Sequence, residues 1–170
     1  KSIALGRIAG RVVAADRKLD RVRRLRENLA RAGSGREFPL VADAGAPPVA
    51  EVDVAILDAP CLGTGVFARH PDARWRVHPE ALGRLVEQAA RMLDAVAAAV
   101  RPGGLLCFST CSLEPEENEM QIAAFLDRHP EFRREPGPGP GGTLTAEGDL
   151  QLVPQRHETD GAYAARLRKE

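Results

Sequence analysis

An α/β domain built on a mostly parallel sheet is what this chain predicts, on three observations. Short apolar runs alternate with longer stretches of helical periodicity. Three of the runs end in aspartate, at Asp16, Asp43 and Asp58. The last two runs stand too close together for a helical crossover, so they are expected to pair antiparallel.

The elements follow in order. Run 11–16 (RVVAAD) is the first strand. Leu19–Ala32 carries Val22, Leu25 and Leu29 at helical spacing on one face, with Gly33 as a C-terminal stop. Runs 37–43 (EFPLVAD) and 52–58 (VDVAILD) are the next strands. A long helix over 79–100 is closed by Arg101-Pro102-Gly103-Gly104 and leads into a strand at 104–110 (GLLCFST). A further helix is expected over 116–129, with Pro115 near its first turn, where a missing N–H costs nothing. Segment 136–142 (PGPGPGG) cannot form a regular element and reads as a surface loop. Runs 150–156 and 162–167 are the closing strands.

With 170 residues and 44% hydrophobic content, the chain is of single-domain size, and one domain over 1–170 is expected. It shows neither an apolar run long enough for a membrane span nor a charged-then-apolar leader, so a cytoplasmic monomer with no membrane contact is the expectation. Lys+Arg and Asp+Glu are both 24, so any nucleic-acid surface must be local. The three cysteines, Cys61, Cys107 and Cys111, form no CxxC pair. That argues against a disulfide framework and against zinc, and no metal is expected. The chain opens Lys1-Ser2-Ile3 without a methionine, and a fragment incomplete at its N-terminus is expected.

In an open α/β sheet the ligand crevice lies outside the carboxyl ends of the strands, where Asp16, Asp43 and Asp58 are delivered. Asp16 stands where a carboxylate accepts bonds from ribose hydroxyls, and Asp43 where one takes an adenine amino proton. For each alone, the plain alternative is a turn or helix cap. The glycine-rich turn that should precede them is absent from the sequence.

Two cysteine segments carry the chemistry. Asp58-Ala59-Pro60-Cys61 places a carboxylate, a rigid proline and a thiol together, and Thr110-Cys111-Ser112 places a second thiol at the end of the next strand. If those strands are neighbours, both thiols reach one crevice. Carbon 5 of cytosine becomes a competent nucleophile once a thiolate adds to carbon 6. A base must then remove the carbon 5 proton, and an acidic group near ring nitrogen 3 steadies the charge that builds. The residues alone do not choose between the thiols, since a Pro-Cys motif also serves as nucleophile in DNA cytosine-5 methyltransferases. Burial of both as ordinary hydrophobes, or a redox pair within disulfide reach, are the competing readings. Cys107 alternates with its strand neighbours and reads as a buried hydrophobe.

The strings DAPCLGTGVFARHPDARWR (58–76) and FSTCSLEPEENE (108–119) resemble two motifs of the NOL/NOP/Sun RNA (cytosine-5)-methyltransferase family, also called Sun/Fmu-type. Segment 12–33 is similar to that family's second motif and 160–167, less specifically, to its closing strand, where Ala162-Tyr163 replaces the usual aromatic pair. The resemblance covers nearly all of the chain. It implies a class I S-adenosylmethionine-dependent methyltransferase (Rossmann-like) fold, with an antiparallel last strand and the first strand missing from this sequence. It also implies methyl transfer from S-adenosylmethionine to carbon 5 of a cytidine in structured RNA, through a covalent adduct at carbon 6. Ribosomal RNA is the first expectation and transfer RNA the second. By the same resemblance Cys111 is the nucleophile, Cys61 assists product release and Asp58 holds the cytosine ring and adjoins the cofactor. Asp16 and Asp43 bind the cofactor ribose and adenine, and Lys1 ends the cofactor loop. The alternatives are a catalytically silent RNA-binding or assembly subunit of the same fold and an amino-methyltransferase, in which an aromatic residue would stand at the position of Cys61.

Arg69, His70, Trp75 and Arg76 form a polar and aromatic loop after the first cysteine motif, suited to holding an RNA backbone and stacking a base. The alternative has Trp75 plugging the core. The basic run Arg17, Lys18, Arg21, Arg23, Arg24, Arg26, Arg31 and Arg36 reads as a solvated face, with an RNA-facing helix as the alternative. Glu116, Glu117 and Glu119 read as helix-dipole stabilisers, and Asn118 as a brace for the Cys111 loop. His78, His129 and His157 have no metal-like spacing.

Overall fold

The computed structural model describes residues 1–170, apart from the side chains of Arg76 and Pro79. The chain divides into two compact units, Lys1–Pro48 and Val49–Glu170. Among the described residues seven strands form two hydrogen-bonded sheets, a parallel pair and a five-stranded mixed sheet.

In the first unit, helix α1 (Ser2–Gly6) precedes β1 (Val12–Asp16), α2 (Leu19–Ala32) and β2 (Glu37–Val41). β1 and β2 run parallel, with Asp16 opposite Val41. Helix α2 has the expected limits, and its Val22 closes the small core with Val12 and Ala14. Gly33 ends the helix by donating its N–H to the Leu29 carbonyl at 2.7 Å, in extended rather than left-handed backbone. β2 stops two residues before Asp43, and it accommodates Pro39 because it is an edge strand.

In the second unit, β3 (Val52–Asp58) and β4 (Val100–Thr110) are parallel neighbours, with Asp58 opposite Ser109. Helix α3 (Pro79–Ala99) makes the crossover and opens on a proline, whose missing N–H costs nothing there. Its Ala89, Leu93 and Ala97 recur every fourth residue on the buried face. Strand β4 begins four residues earlier than the 104–110 run, which corrects the reading of Arg101-Pro102-Gly103-Gly104 as a turn outside the strand. The ladder continues through it by an irregularity opposite Val52–Asp53. Gly103 supplies the positive φ of 73° that this irregularity needs.

Helix α4 (Glu119–Arg128) follows a 3₁₀ turn, Pro115–Glu117, and leads to β5 (Phe132–Arg134). After the 136–142 loop come β6 (Leu150–Leu152), helix α5 (Pro154–His157) and β7 (Ala162–Lys169). The expected strand over 150–156 is therefore shorter, because Pro154 lacks the ladder N–H and opens a helical turn instead. β7 is antiparallel to β4, β5 and β6, as the short connection requires for β6. Leu106 and Phe108 of β4, Ala165 and Leu167 of β7, Leu93 of α3 and Ile122 and Phe125 of α4 form the sealed core. Alternation puts Cys107 on the opposite face, across from Arg166. It is half-buried there, near the ion pairs of Glu135 with Arg166 and Arg168, rather than in the core as expected.

Candidate active site

β3 and β4 end side by side, and the main chain keeps them together past their last residues, since the Ala59 N–H donates to the Ser109 carbonyl at 2.9 Å. Two loops leave this edge. One carries Cys61 into a 3₁₀ turn, Thr64–Val66; the other carries Cys111 into Pro115–Glu117. The sulfurs of Cys61 and Cys111 lie 3.5 Å apart, both half-buried, and all three cysteines are free thiols. The two thiols thus meet at the ends of neighbouring strands, as expected. Asp58, the last residue of β3, accepts a bond from the Ser109 hydroxyl at 3.2 Å.

The loops are locked to each other by main-chain and hydroxyl bonds. The Gly65 N–H donates to the Cys111 carbonyl at 3.0 Å, and the Gly161 N–H to the Gly65 carbonyl at 2.8 Å. This approach needs glycine, because a Cβ on Gly65 would stand 2.6 Å from the Gly161 oxygen. The Leu113 N–H donates to the Thr64 hydroxyl at 2.9 Å. Asn118 braces the Cys111 loop as expected, donating from Nδ2 to the Ser112 carbonyl at 3.0 Å and accepting the Thr110 hydroxyl at 2.5 Å.

Two thiols this close cannot both ionise easily, so their titrations separate. The hydrogen bond from Cys61 pulls the Cys111 thiol down to about 7, against burial and the charges of Asp58 and Glu117. The bond to Cys111, then burial, pushes the Cys61 thiol far up. Cys111 is thus the thiol of the pair that ionises first. A thiolate nucleophile beside a thiol that can pass a proton is what this pair offers chemically.

Sequence reasoning missed Glu117 as a site residue. It is buried, and both carboxylate oxygens accept the Leu62 N–H, at 3.0 and 3.1 Å. Burial pushes its carboxyl above the usual range. The available signal was the i, i+4, i+8 stripe that Glu117 shares with buried Gln121 and Phe125.

The loop after the first motif presents Trp75, 80% exposed, on the 3₁₀ turn Pro71–Arg76. Trp75 therefore does not plug the core. His70 is exposed, and Arg69 pairs with Asp160. Arg76 lies outside the described side chains. Among the described residues no group of three or more His, Cys, Asp or Glu could hold a metal, and no helix is long and apolar enough to cross a membrane.

In the first unit, Asp16 and Asp43 follow the carboxyl ends of two neighbouring parallel strands. Each makes a local turn: Asp16 Oδ1 accepts the Lys18 N–H at 2.8 Å, and Asp43 Oδ1 accepts the Gly45 N–H at 2.8 Å. Arg21 also reaches Asp16 Oδ2 at 3.3 Å. The turn role expected of an isolated aspartate is thus real for both. A carboxylate has about four acceptor sites, so these bonds leave each with capacity for a hydroxyl or amino donor. Lys1 stands exposed ahead of α1.

The family model described as 16S rRNA methyltransferase RsmB/F matches residues 3–168. The ribosomal RNA small subunit methyltransferase B of Vibrio cholerae is 37% identical over 163 residues, covering 94% of this chain and 36% of its own length. Its counterpart from Thermus thermophilus is 45% identical over 114 residues, covering 67% and 28%. Among solved structures, NSun6 from Pyrococcus horikoshii with SFG is 27% identical with a TM-score of 0.84, over 94% of this chain and 41% of that one. The chain spans about a third of the length of the curated relatives it matches.

Proposed function

The chain belongs to the 16S rRNA methyltransferase RsmB/F family, and from that membership we propose that it is the catalytic part of an S-adenosylmethionine-dependent RNA methyltransferase acting on carbon 5 of a cytidine. Ribosomal RNA is the first substrate by the names of the relatives, and transfer RNA the second. The observation that carries this reading is the 3.5 Å approach of the Cys61 and Cys111 sulfurs at the ends of two parallel strands.

Cys111, held near neutrality as a thiolate, adds to carbon 6 of the cytosine and makes carbon 5 electron-rich. Asp58, at the same strand edge, holds the ring at nitrogen 3 and adjoins the cofactor. S-adenosylmethionine supplies the electrophilic methyl group. A solvent water acts as the base that takes the carbon 5 proton, the pair left behind re-forms the 5,6 double bond, and the Cys111 sulfur leaves carbon 6 as a thiolate steadied by a hydrogen bond from the neighbouring Cys61 thiol. Asp16 and Asp43 take the cofactor's ribose and adenine, and Lys1 ends the cofactor loop. Trp75, Arg69, His70 and Arg76 contact the RNA.

The test uses the full-length protein with target RNA and S-adenosylmethionine. Cys111→Ala abolishes methylation and leaves no covalent RNA adduct. Cys61→Ala accumulates an adduct that survives denaturing electrophoresis. Full methylation by both variants ends the cytosine-5 reading, and an adduct in Cys111→Ala alone reverses the two roles. A wild-type protein that binds RNA but transfers no methyl group points to the silent subunit.

A further inference from the structure

Glu117 is a buried acid that the chemistry above does not use, and its position is unusual for a carboxylate near a thiolate. Its negative charge opposes ionisation of Cys111. A helix start gains from acids, but Glu116 and Glu119 supply that benefit with less burial. Burying a carboxylate is unfavourable unless it is hydrogen-bonded. Its partners explain the placement. Both of its oxygens accept the N–H of Leu62, the residue after Cys61. The Ser112 hydroxyl, on the residue after Cys111, favours ionisation of the same carboxylate against its burial. A side chain from the 3₁₀ turn that ends the Cys111 loop thus holds the position following Cys61, across 55 residues of sequence.

We infer that Glu117 is a positioning residue that clamps the Cys61 loop against the Cys111 loop and so sets the separation of the two sulfurs. The inference rests on the two-thiol reading of the site, deepening it by naming what holds the pair in register. Chain length at residue 117 matters for this role more than charge does. A side chain with the same reach and no charge keeps the Leu62 N–H in place, whereas a shorter acid cannot span the gap without moving one loop.

The two effects on Cys111 have opposite signs, which makes the test decisive. Removing the Glu117 charge favours the Cys111 thiolate; losing the Cys61 thiol as a hydrogen-bond donor disfavours it. The measurement is the rate of iodoacetamide alkylation at the Cys111 peptide against pH in the full chain, which needs neither RNA nor cofactor and so stands apart from the methylation test. In Glu117→Gln the inflection stays or moves down. In Glu117→Asp it moves up, with alkylation at pH 6 slowed roughly tenfold, the equivalent of about one pH unit. Leu62→Pro removes the donor N–H and leaves the carboxylate, and it moves the inflection the same way as Glu117→Asp. This arm decides the matter if the aspartate variant does not fold. An unmoved inflection in Glu117→Asp or in Leu62→Pro, or an upward move of Glu117→Gln equal to theirs, overturns the proposal.

Discussion

The Asn118 side-chain amide donates to the Ser112 carbonyl at 3.0 Å, so the residue following Cys111 is held by a buried group from the start of the next helix. The same side chain accepts the Thr110 hydroxyl, on the residue preceding Cys111. Asn118→Ala strips both partners inside a sealed region and is expected to cost about 2–4 kcal/mol of stability. An unfolding free energy from denaturant titration within about 0.5 kcal/mol of the wild type would show that water or relaxation replaces these bonds.

Reactivity of Cys111 follows from its neighbour. With its thiol pulled down to about 7, the thiolate fraction of Cys111 falls as pH drops below neutrality and is nearly complete by pH 8. Alkylation and methyl transfer rise together through that range. Cys61→Ala removes the hydrogen bond that favours the Cys111 thiolate, so the alkylation inflection moves up towards the ordinary thiol value of about 8.5. A wild-type inflection already at that value contradicts the hydrogen-bond assignment.

Cofactor affinity tests the strand-end acids. Asp16→Asn and Asp43→Asn keep an oxygen for the turn bonds to Lys18 and Gly45 but lose the charge. Each is expected to weaken S-adenosylmethionine binding by roughly 1.5–3 kcal/mol, the value of a charge-assisted hydrogen bond. Calorimetry on the full-length protein measures it. Unchanged affinity in both variants confines these aspartates to their turns.

Much of this molecule is legible along the chain. The limits of α2 and β3, the antiparallel pairing of the last strands and the delivery of Asp58 and both thiols to one sheet edge follow from apolar periodicity, strand-end acids and connection length. These are local properties, set within a dozen residues by propensity and pattern. β5 escaped notice because three residues, Phe132–Arg134, carry no period of their own and become a strand only by pairing with β7. The continuation of β4 through Pro102 and Gly103 likewise depends on Val52 lying opposite Val100.

The site divides in the same way. Sequence determined which residues carry thiols and acids and, through resemblance, which of them to expect in a reaction. Tertiary structure decided what those groups do to one another. The hydrogen bond between Cys61 and Cys111 joins positions 50 apart, and the bond of Glu117 to Leu62 joins positions 55 apart. An acid in a run of acids reads as helix-dipole chemistry until packing selects Glu117 to face inward. Trp75 reads both as a base-stacking residue and as a core plug until the sealed interior is filled by Phe108, Phe125 and Tyr163, leaving the indole outside. Neither outcome is encoded locally, because burial is a property of the assembled surface and not of the residue.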